Sequence, residues 1–140
     1  MPSITKDTEI KRYAFGYTKL TSVTIPDSVK SIGDYAFRSC VAIEELVFSD
    51  NIEEIGACAF YDCNALKTIM FGTGLVELND RLFYGCVNLQ DITLNGDVNF
   101  IHDLTFYGAE ATVVYAFEND YVESYCNDMG LEYYNLNRNF

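Results

Sequence analysis

The segment "SIGDYAFRSC" at residues 31–40 is repeated as "EIGACAFYDC" at residues 54–63 and as "ELNDRLFYGC" at residues 77–86. Each segment starts 23 residues after the start of the one before it. A catalytic site has to occur only once in a chain, whereas a segment that recurs at a fixed interval is typical of a structural unit that cannot bury its apolar side alone. The sequence therefore predicts a solenoid of stacked units.

The apolar residues of this repeat form fixed columns. When the units are aligned on their central Phe, six columns of four positions are apolar without exception. The columns are Leu20, Ile43, Leu66 and Leu89; Val23, Leu46, Ile69 and Ile92; Ile25, Phe48, Phe71 and Leu94; Val29, Ile52, Leu75 and Val98; Ile32, Ile55, Leu78 and Ile101; and Phe37, Phe60, Phe83 and Phe106. The alternation in the second and third columns predicts a short strand with one buried face, and the next two columns predict a second buried edge.

The repeat divides the chain into three parts. Residues 1–19 are predicted to form a degenerate N-terminal coil, and its own first strand is barely recognisable in residues 1–7. Residues 20–111 contain four 23-residue repeats. In three of the four repeats an Asp three residues before the Phe is a candidate cap for a tight turn, namely Asp34, Asp80 and Asp103, whereas Ala57 breaks this column.

Residues 112–140 differ from the repeats and are predicted to form a C-terminal strand–helix–strand cap. "ATVVYAF" at 111–117 indicates a strand, and "LEYYNL" at 131–136 indicates a closing strand. Between them, Asp120 is a candidate N-cap with Glu123 three residues later, and Gly130 is suited to end the helix. The predicted buried face of this helix contains Val122, Tyr125, Cys126 and Met129.

The stretch "LTSVTIPDSVKSIGDYAFRSC" at residues 20–40 resembles the BspA-like class of leucine-rich repeats, and the resemblance extends over about residues 8–111. It is carried by the Ile-x-Ile-Pro-like start, Val-x-x-Ile-Gly, Ala-Phe and the terminal Cys. The resemblance implies a curved, right-handed, β-rich α/β solenoid with a sheet on one side. It also implies a non-catalytic module for protein interaction or adhesion in an extracellular or cell-surface protein. Because this chain contains no stretch of signal-peptide type, a cytoplasmic location stays open.

The charge of the chain restricts its partners. The net charge is −12, and the segment from Leu82 to Asn137 contains nine acidic residues and no Lys or Arg. This distribution argues against nucleic acid or an anionic membrane as a partner. No apolar run approaches the roughly 18 residues of a membrane helix, so we expect no membrane insertion. The acidic surface either keeps the protein soluble or docks a basic partner or cations.

Cysteine and histidine often act as nucleophiles or metal ligands, but their spacing in this chain favours neither role. Cys40, Cys63 and Cys86 occupy one column that holds Ala109 in the last repeat, which indicates small buried side chains. No pair has zinc-ligand spacing, and all five cysteines are predicted to be reduced. His102 has no predicted nucleophilic partner. We predict no catalytic residue, metal site or cofactor.

Two outward-facing rows are candidate binding sites. The first follows the solvent side of the predicted strands, where the residues vary while the inward columns do not. It contains Glu45, Thr68 and Asp91 in one column and Val47, Met70 and Thr93 in the next. The second row is Tyr61, Tyr84 and Tyr107, which follow three successive Phe residues. We expect a protein partner on the first row.

Three alternatives to this expectation remain at the sequence level. The tyrosine row could make the chain a carbohydrate-binding module, since an exposed aromatic row can dock a sugar ring. The chain could instead be a purely structural spacer within a larger surface protein. An uncapped N-terminal edge could also allow self-association.

Overall fold

The computed structural model describes residues 8–138, which form a parallel β-solenoid of about six turns with coils of about 23 residues. The predicted fold is therefore confirmed. The strands are β1 (Glu9–Ile10), β2 (Ser31–Ile32), β3 (Glu45–Val47), β4 (Glu54–Ile55), β5 (Thr68–Phe71), β6 (Glu77–Leu78), β7 (Asp91–Leu94), β8 (Phe100–Ile101), β9 (Val113–Ala116) and β10 (Glu132–Asn135). One helix, α1 (Asp120–Met129), lies between β9 and β10, and a 3₁₀ turn (Leu136–Arg138) follows. The strand expected in residues 1–7 lies outside the described residues.

The long strands form one parallel sheet on one side of the solenoid. The order in this sheet is β3-β5-β7-β9-β10, and the short strands form two smaller ladders, β1-β2-β4 and β6-β8. Leu46, Ile69, Ile92 and Val114 are in register across the large sheet, and all four are buried. Since side chains alternate along a strand, their neighbours on either side face solvent.

The core is organised by a single file of Phe rings. Phe15, Phe37, Phe60, Phe83 and Phe106 are buried and stack in sequence, with centroid distances of 5.2, 5.5, 5.8 and 5.3 Å. A second stack, Phe48 on Phe71 at 5.4 Å, packs against the side of this file. Equivalent side chains therefore lie directly above and below one another, as the 23-residue period predicts.

The turn that carries each Phe has its own ladder of hydrogen bonds between coils. The N–H groups of Tyr35, Phe37 and Ser39 donate to the carbonyls of Ala57, Ala59 and Tyr61 at 3.1, 2.8 and 2.7 Å. Tyr35 and Ser39 reach this geometry in left-handed conformations, with φ of 57° and 55°. Later coils have Gly85 and Gly108 at the Ser39 position, with φ of 75° and 82°, where glycine is free of steric strain.

Two details of the predicted repeat are wrong. Asp34 does not cap its own turn; its carboxylate accepts a hydrogen bond from the N–H of Ala57 in the next coil at 2.9 Å. The strand expected around Val23 and Ile25 does not form, and both side chains are only half-buried. The strand that this segment would pair with is β3 in the next coil, and no backbone hydrogen bond joins the two within the described residues.

The C-terminal cap has the predicted strand–helix–strand order, with β10 joining the large sheet beside β9. The N-cap is Asn119 rather than Asp120, because the Asn119 side chain accepts the N–H of Val122 at 3.0 Å. Gly130 ends the helix with φ of 72°, as predicted. Three of the four residues predicted on the buried face are buried, but Met129 is exposed at the last position of α1.

Candidate binding surfaces

The solvent side of the large sheet carries two straight columns of side chains. The first column, in strand order, is Glu45, Thr68, Asp91, Val113 and Glu132. The second column is Val47, Met70, Thr93, Tyr115 and Tyr134. The six residues predicted for this surface are therefore brought together, and the C-terminal cap extends both columns by two residues. We call the second column the apolar row and the acids of the first column the acidic row.

The apolar row leaves large side chains uncovered. The exposed fractions of Val47 and Met70 are 62% and 43%. Tyr115 and Tyr134 are 5.3 Å apart between ring centroids and are tilted by 51°. The two tyrosines were missed by the sequence analysis because the strands of the cap are offset from the repeats. An exposed apolar patch of this kind on a regular sheet is typical of an interaction surface.

Seven residues of the two columns line a shallow groove of about 540 Å³, and Val113, Glu132 and Tyr134 lie beyond its lining. Its lining consists of Glu45, Leu46, Val47, Thr68, Ile69, Met70, Asp91, Thr93, Asn95, Tyr115 and Leu136. Among the side chains that the structure describes, no Lys or Arg belongs to this lining. The nearby Lys67 is paired with Glu44 at 2.7 Å, and this hydrogen bond lowers the pKa of the Glu44 carboxyl.

The acids of the acidic row are not neutralised by the protein. Among the side chains described between residues 8 and 137, no salt bridge includes Glu45, Asp91 or Glu132. The pKa of Tyr115 is raised, first by burial and then by the negative charges of Asp91 and Glu132. The groove therefore combines apolar contact area with uncompensated negative charge, which fits a basic partner.

The tyrosine row is arranged differently, because its rings cover one another. Tyr61 stacks on Tyr84 at 4.6 Å and Tyr84 on Tyr107 at 5.0 Å, with interplanar angles of 7° and 17°. Arg38, which replaces Tyr in the first repeat, lies 4.9 Å from the Tyr61 ring and continues the stack. Only Tyr107, which is 54% exposed, ends the stack with an uncovered ring.

Further aromatic residues extend this surface toward the N-terminus and were missed as site residues. Tyr13 stacks on Tyr35 at 4.9 Å. The Arg38 guanidinium carbon lies 5.6 Å from the Tyr17 ring and 5.4 Å from the Tyr35 ring. The signal was available in the sequence, since Tyr13 and Tyr35 each lie two residues before their Phe. The rings and the guanidinium stabilise one another by stacking and cation–π contacts.

The cysteines are free and buried, in agreement with the sequence prediction. The structure also gives their column a role that was not predicted, because each S–H donates to a main-chain carbonyl of the preceding coil. Cys40, Cys63 and Cys86 donate to the carbonyls of Phe15, Phe37 and Phe60, each at 3.0 Å. Burial raises the pKa of the Cys126 thiol to about 12 and also raises the pKa of Cys58. Raised pKa values disfavour the thiolate that a nucleophile or metal ligand requires.

His102 lies at the turn after β8 and is half-buried, as expected for a turn residue. Its Nε2 atom lies 3.2 Å from a carboxylate oxygen of Glu77 on the neighbouring coil, and its carbonyl accepts the Tyr125 hydroxyl at 2.8 Å. In the part of the chain that the structure describes, no three His, Cys, Asp or Glu side chains are placed to hold a metal ion. None of the helical structure between residues 8 and 138 has the length and apolarity needed to span a bilayer.

The profile of the BspA type leucine rich repeat region matches residues 8–128 in six copies. Since the match includes most of the chain, the protein belongs to the BspA-type leucine-rich repeat family. No curated protein matches the chain.

Solved structures show the same fold. A leucine rich cell surface protein from Faecalibacterium prausnitzii is 27% identical with a TM-score of 0.69, and the alignment covers 87% of this chain and 34% of that one. A leucine-rich repeat protein from T. pallidum is 28% identical with a TM-score of 0.67, covering 90% and 56%. One from Eubacterium ventriosum is 25% identical with a TM-score of 0.70, covering 81% and 33%. The chain thus spans about a third to just over half of these proteins.

Proposed function

We propose that this chain is a non-catalytic protein-binding module and that the partner binds the groove on the large sheet. The observation that carries the proposal is the apolar row, in which the exposed side chains of Val47 and Met70 lie side by side in register on the large sheet. Met and Tyr are enriched in protein interfaces, and Tyr is also frequent among residues that dominate binding energy. Strands in a fixed register hold such side chains in place before the partner arrives, which lowers the entropy lost on binding.

The family and its relatives support a role at the cell surface. The F. prausnitzii protein is described as a cell surface protein. By this likeness we propose that the parent protein of this chain is exposed on a bacterial surface and that the module contributes to adhesion. Repeat arrays present extended surfaces without catalytic residues, which agrees with such a role.

Glycan binding by the tyrosine row is the second candidate, and the uncovered ring of Tyr107 is the observation that favours it. The other rings are less suited, because Tyr84 is stacked on both sides within 5.0 Å. A sugar that stacks on an aromatic ring requires a free face. A glycan array with wild type and Tyr107→Ala tests this candidate, and binding that depends on Tyr107 would support it.

The proposed function is tested by selecting binders from a random peptide library and measuring them against two matched variants. Val47→Arg introduces a cation in the groove, and Val87→Arg introduces the same change at a Val with an equal exposed fraction outside it, 63% against 62%. We expect binding to be lost with Val47→Arg and kept with Val87→Arg. Equal binding to both variants, or no enriched binder, would contradict the proposal and favour a structural spacer.

A further inference from the structure

We propose that the groove accepts a polyproline II segment with Lys or Arg at every third residue, lying across the strands with its cations on the acidic row. This inference rests on the proposed function and adds to it the conformation and the charge spacing of the partner.

The spacing of the acids is the first observation. Glu45, Asp91 and Glu132 lie on β3, β7 and β10, and one strand separates each acid from the next. Neighbouring strands are about 4.8 Å apart, so successive acids are about 9.6 Å apart along the solenoid axis. The three carboxylates therefore form a regular series of negative charges.

Only one regular backbone conformation repeats at this distance on one side. A polyproline II helix has three residues per turn and rises by about 3.1 Å per residue, so every third side chain recurs on the same side after about 9.3 Å. In an extended strand, the side chains of one face recur after about 6.6 Å. In an α-helix, side chains recur on one side after seven residues, or about 10.5 Å, which exceeds the spacing of the acids by about 1.8 Å over two intervals.

The apolar row supplies the second half of the site. It lies two residues further along each strand, which places it about 6.6 Å from the acidic row. The tilted rings of Tyr115 and Tyr134, together with Met70, offer a ridged surface for pyrrolidine rings. Proline-rich segments bind aromatic-lined grooves because their conformation is already formed before binding. A three-fold helix can thus present cations to one row and prolines to the other.

The electrostatics agree with a cationic ligand. The described lining of the groove contains no Lys or Arg, and the chain as a whole carries a net charge of −12. Such a field attracts basic segments and repels acidic ones. The raised pKa of Tyr115 has the same origin in part, since Asp91 and Glu132 both disfavour its ionised form.

The inference is tested with three synthetic peptides in a calorimetric titration at low salt. The first, KPPKPPKPP, has Lys at every third residue, the second, KPKPKPPPP, has the same composition at a different spacing, and the third replaces each Lys of the first by Glu. We expect the first to bind about fivefold more tightly than the second, and the third not to bind. Because the contacts are exposed, adding salt should weaken binding of the first peptide.

Two protein variants locate the contact. Asp91→Asn removes the central charge of the acidic row without changing side-chain size, and Glu53→Gln removes an exposed charge outside the groove. We expect Asp91→Asn to weaken binding of the first peptide about threefold or more and Glu53→Gln to leave it unchanged. Equal affinity for the two Lys peptides, or full affinity in Asp91→Asn, would overturn the inference.

Failure of this inference is distinguishable from failure of the proposed function. If the Lys peptides do not bind but library-selected peptides still require Val47, the groove binds protein and the polyproline II assignment is wrong. If selected peptides are also indifferent to Val47→Arg, the groove is not the binding site and both proposals fail.

Discussion

The file of Phe rings and the part of the apolar row that lies in the repeats are produced by the same 23-residue period but behave in opposite ways. Inside the solenoid, Phe37, Phe60 and Phe83 are buried and stack on one another. On the outside, Val47 and Met70 are also neighbours in register, yet both stay exposed. Burial in the first file stabilises the fold, and exposure in the second leaves contact area for another molecule.

The tyrosine row is intermediate between these two regions and shows why regular spacing alone does not make a binding site. Its rings are on the surface, but Tyr84 contacts a ring on both sides, and Tyr61 lies between the Tyr84 ring and the Arg38 guanidinium. Stacking therefore covers most of the ring faces with other side chains of the same chain. A row becomes available to a partner only where its side chains are spaced or tilted so that their faces remain free.

The largest difference between inside and outside is expected for Phe60→Ala. Phe60 is fully buried with Phe rings above and below it, so truncation should lower the free energy of unfolding by about 3–5 kcal/mol. A thermal melt should show a decrease of more than about 10 °C. The matched control is Phe117→Ala, at a ring that is 46% exposed, where we expect less than about 1 kcal/mol. Similar losses of stability in both variants would mean that the buried Phe file contributes no more to folding than an exposed ring.

The tyrosine row should show a smaller, graded effect. Tyr84→Leu removes two ring contacts and Tyr107→Leu removes one, while both keep an apolar side chain. With about 0.5–1.5 kcal/mol for each aromatic pair, we expect Tyr84→Leu to be about twice as destabilising as Tyr107→Leu. Chemical denaturation of the two variants measures this ratio. Equal costs would mean that the stacked rings contribute little.

The N-cap of α1 lies at Asn119, one residue before the Asp120 that the sequence analysis predicted. Asn119→Ala removes the side chain that accepts the Val122 N–H, so we expect a loss of about 1 kcal/mol. Asp120→Ala should cost about 0.5 kcal/mol or less, because only its interaction with the helix dipole is lost. If urea unfolding showed a larger loss of stability for Asp120→Ala than for Asn119→Ala, the N-cap would be Asp120, as the sequence predicted.

The smallest effect on stability is expected on the apolar row itself. Met70→Ser should change the free energy of unfolding by about 0.5 kcal/mol or less, since its side chain is exposed. The adjacent Ile69→Ala should cost about 2–5 kcal/mol, because Ile69 is buried on the other face of the same strand. A strong loss in Met70→Ser would show that the apolar row belongs to the core.

The repeats were predictable because one period fixes both the inward and the outward columns. Once Leu46 is placed inside, Glu45 and Val47 on the same strand must face solvent, and the same holds for Thr68 and Met70 on either side of Ile69. The extension of the rows to Tyr115 and Tyr134 was not predictable in the same way. Val113 pairs with Asp91 and Glu132 with Val113, and neither offset in the sequence equals 23 residues, so the period gives no register for the cap.

The remaining errors arise where local geometry or pairing decides the outcome. The choice between Asn119 and Asp120 depends on backbone conformation, and both residues are good N-caps by type. Val23 and Ile25 have strong strand propensity, but propensity depends on context, and this segment forms no backbone hydrogen bonds with the outer edge of β3. The stacking of Arg38 on Tyr61 continues an aromatic column with a cation, which a comparison of residue types alone does not reveal.

Mapping of amide chemical shifts on the labelled chain, during titration with a peptide selected on the wild type, tests the central claim most directly. We expect shifts at Val47, Met70, Thr93 and Tyr115, with the turns that carry the Phe file and the tyrosine row unchanged. Shifts confined to Tyr61, Tyr84 and Tyr107, with the strands of the large sheet unaffected, would contradict the account.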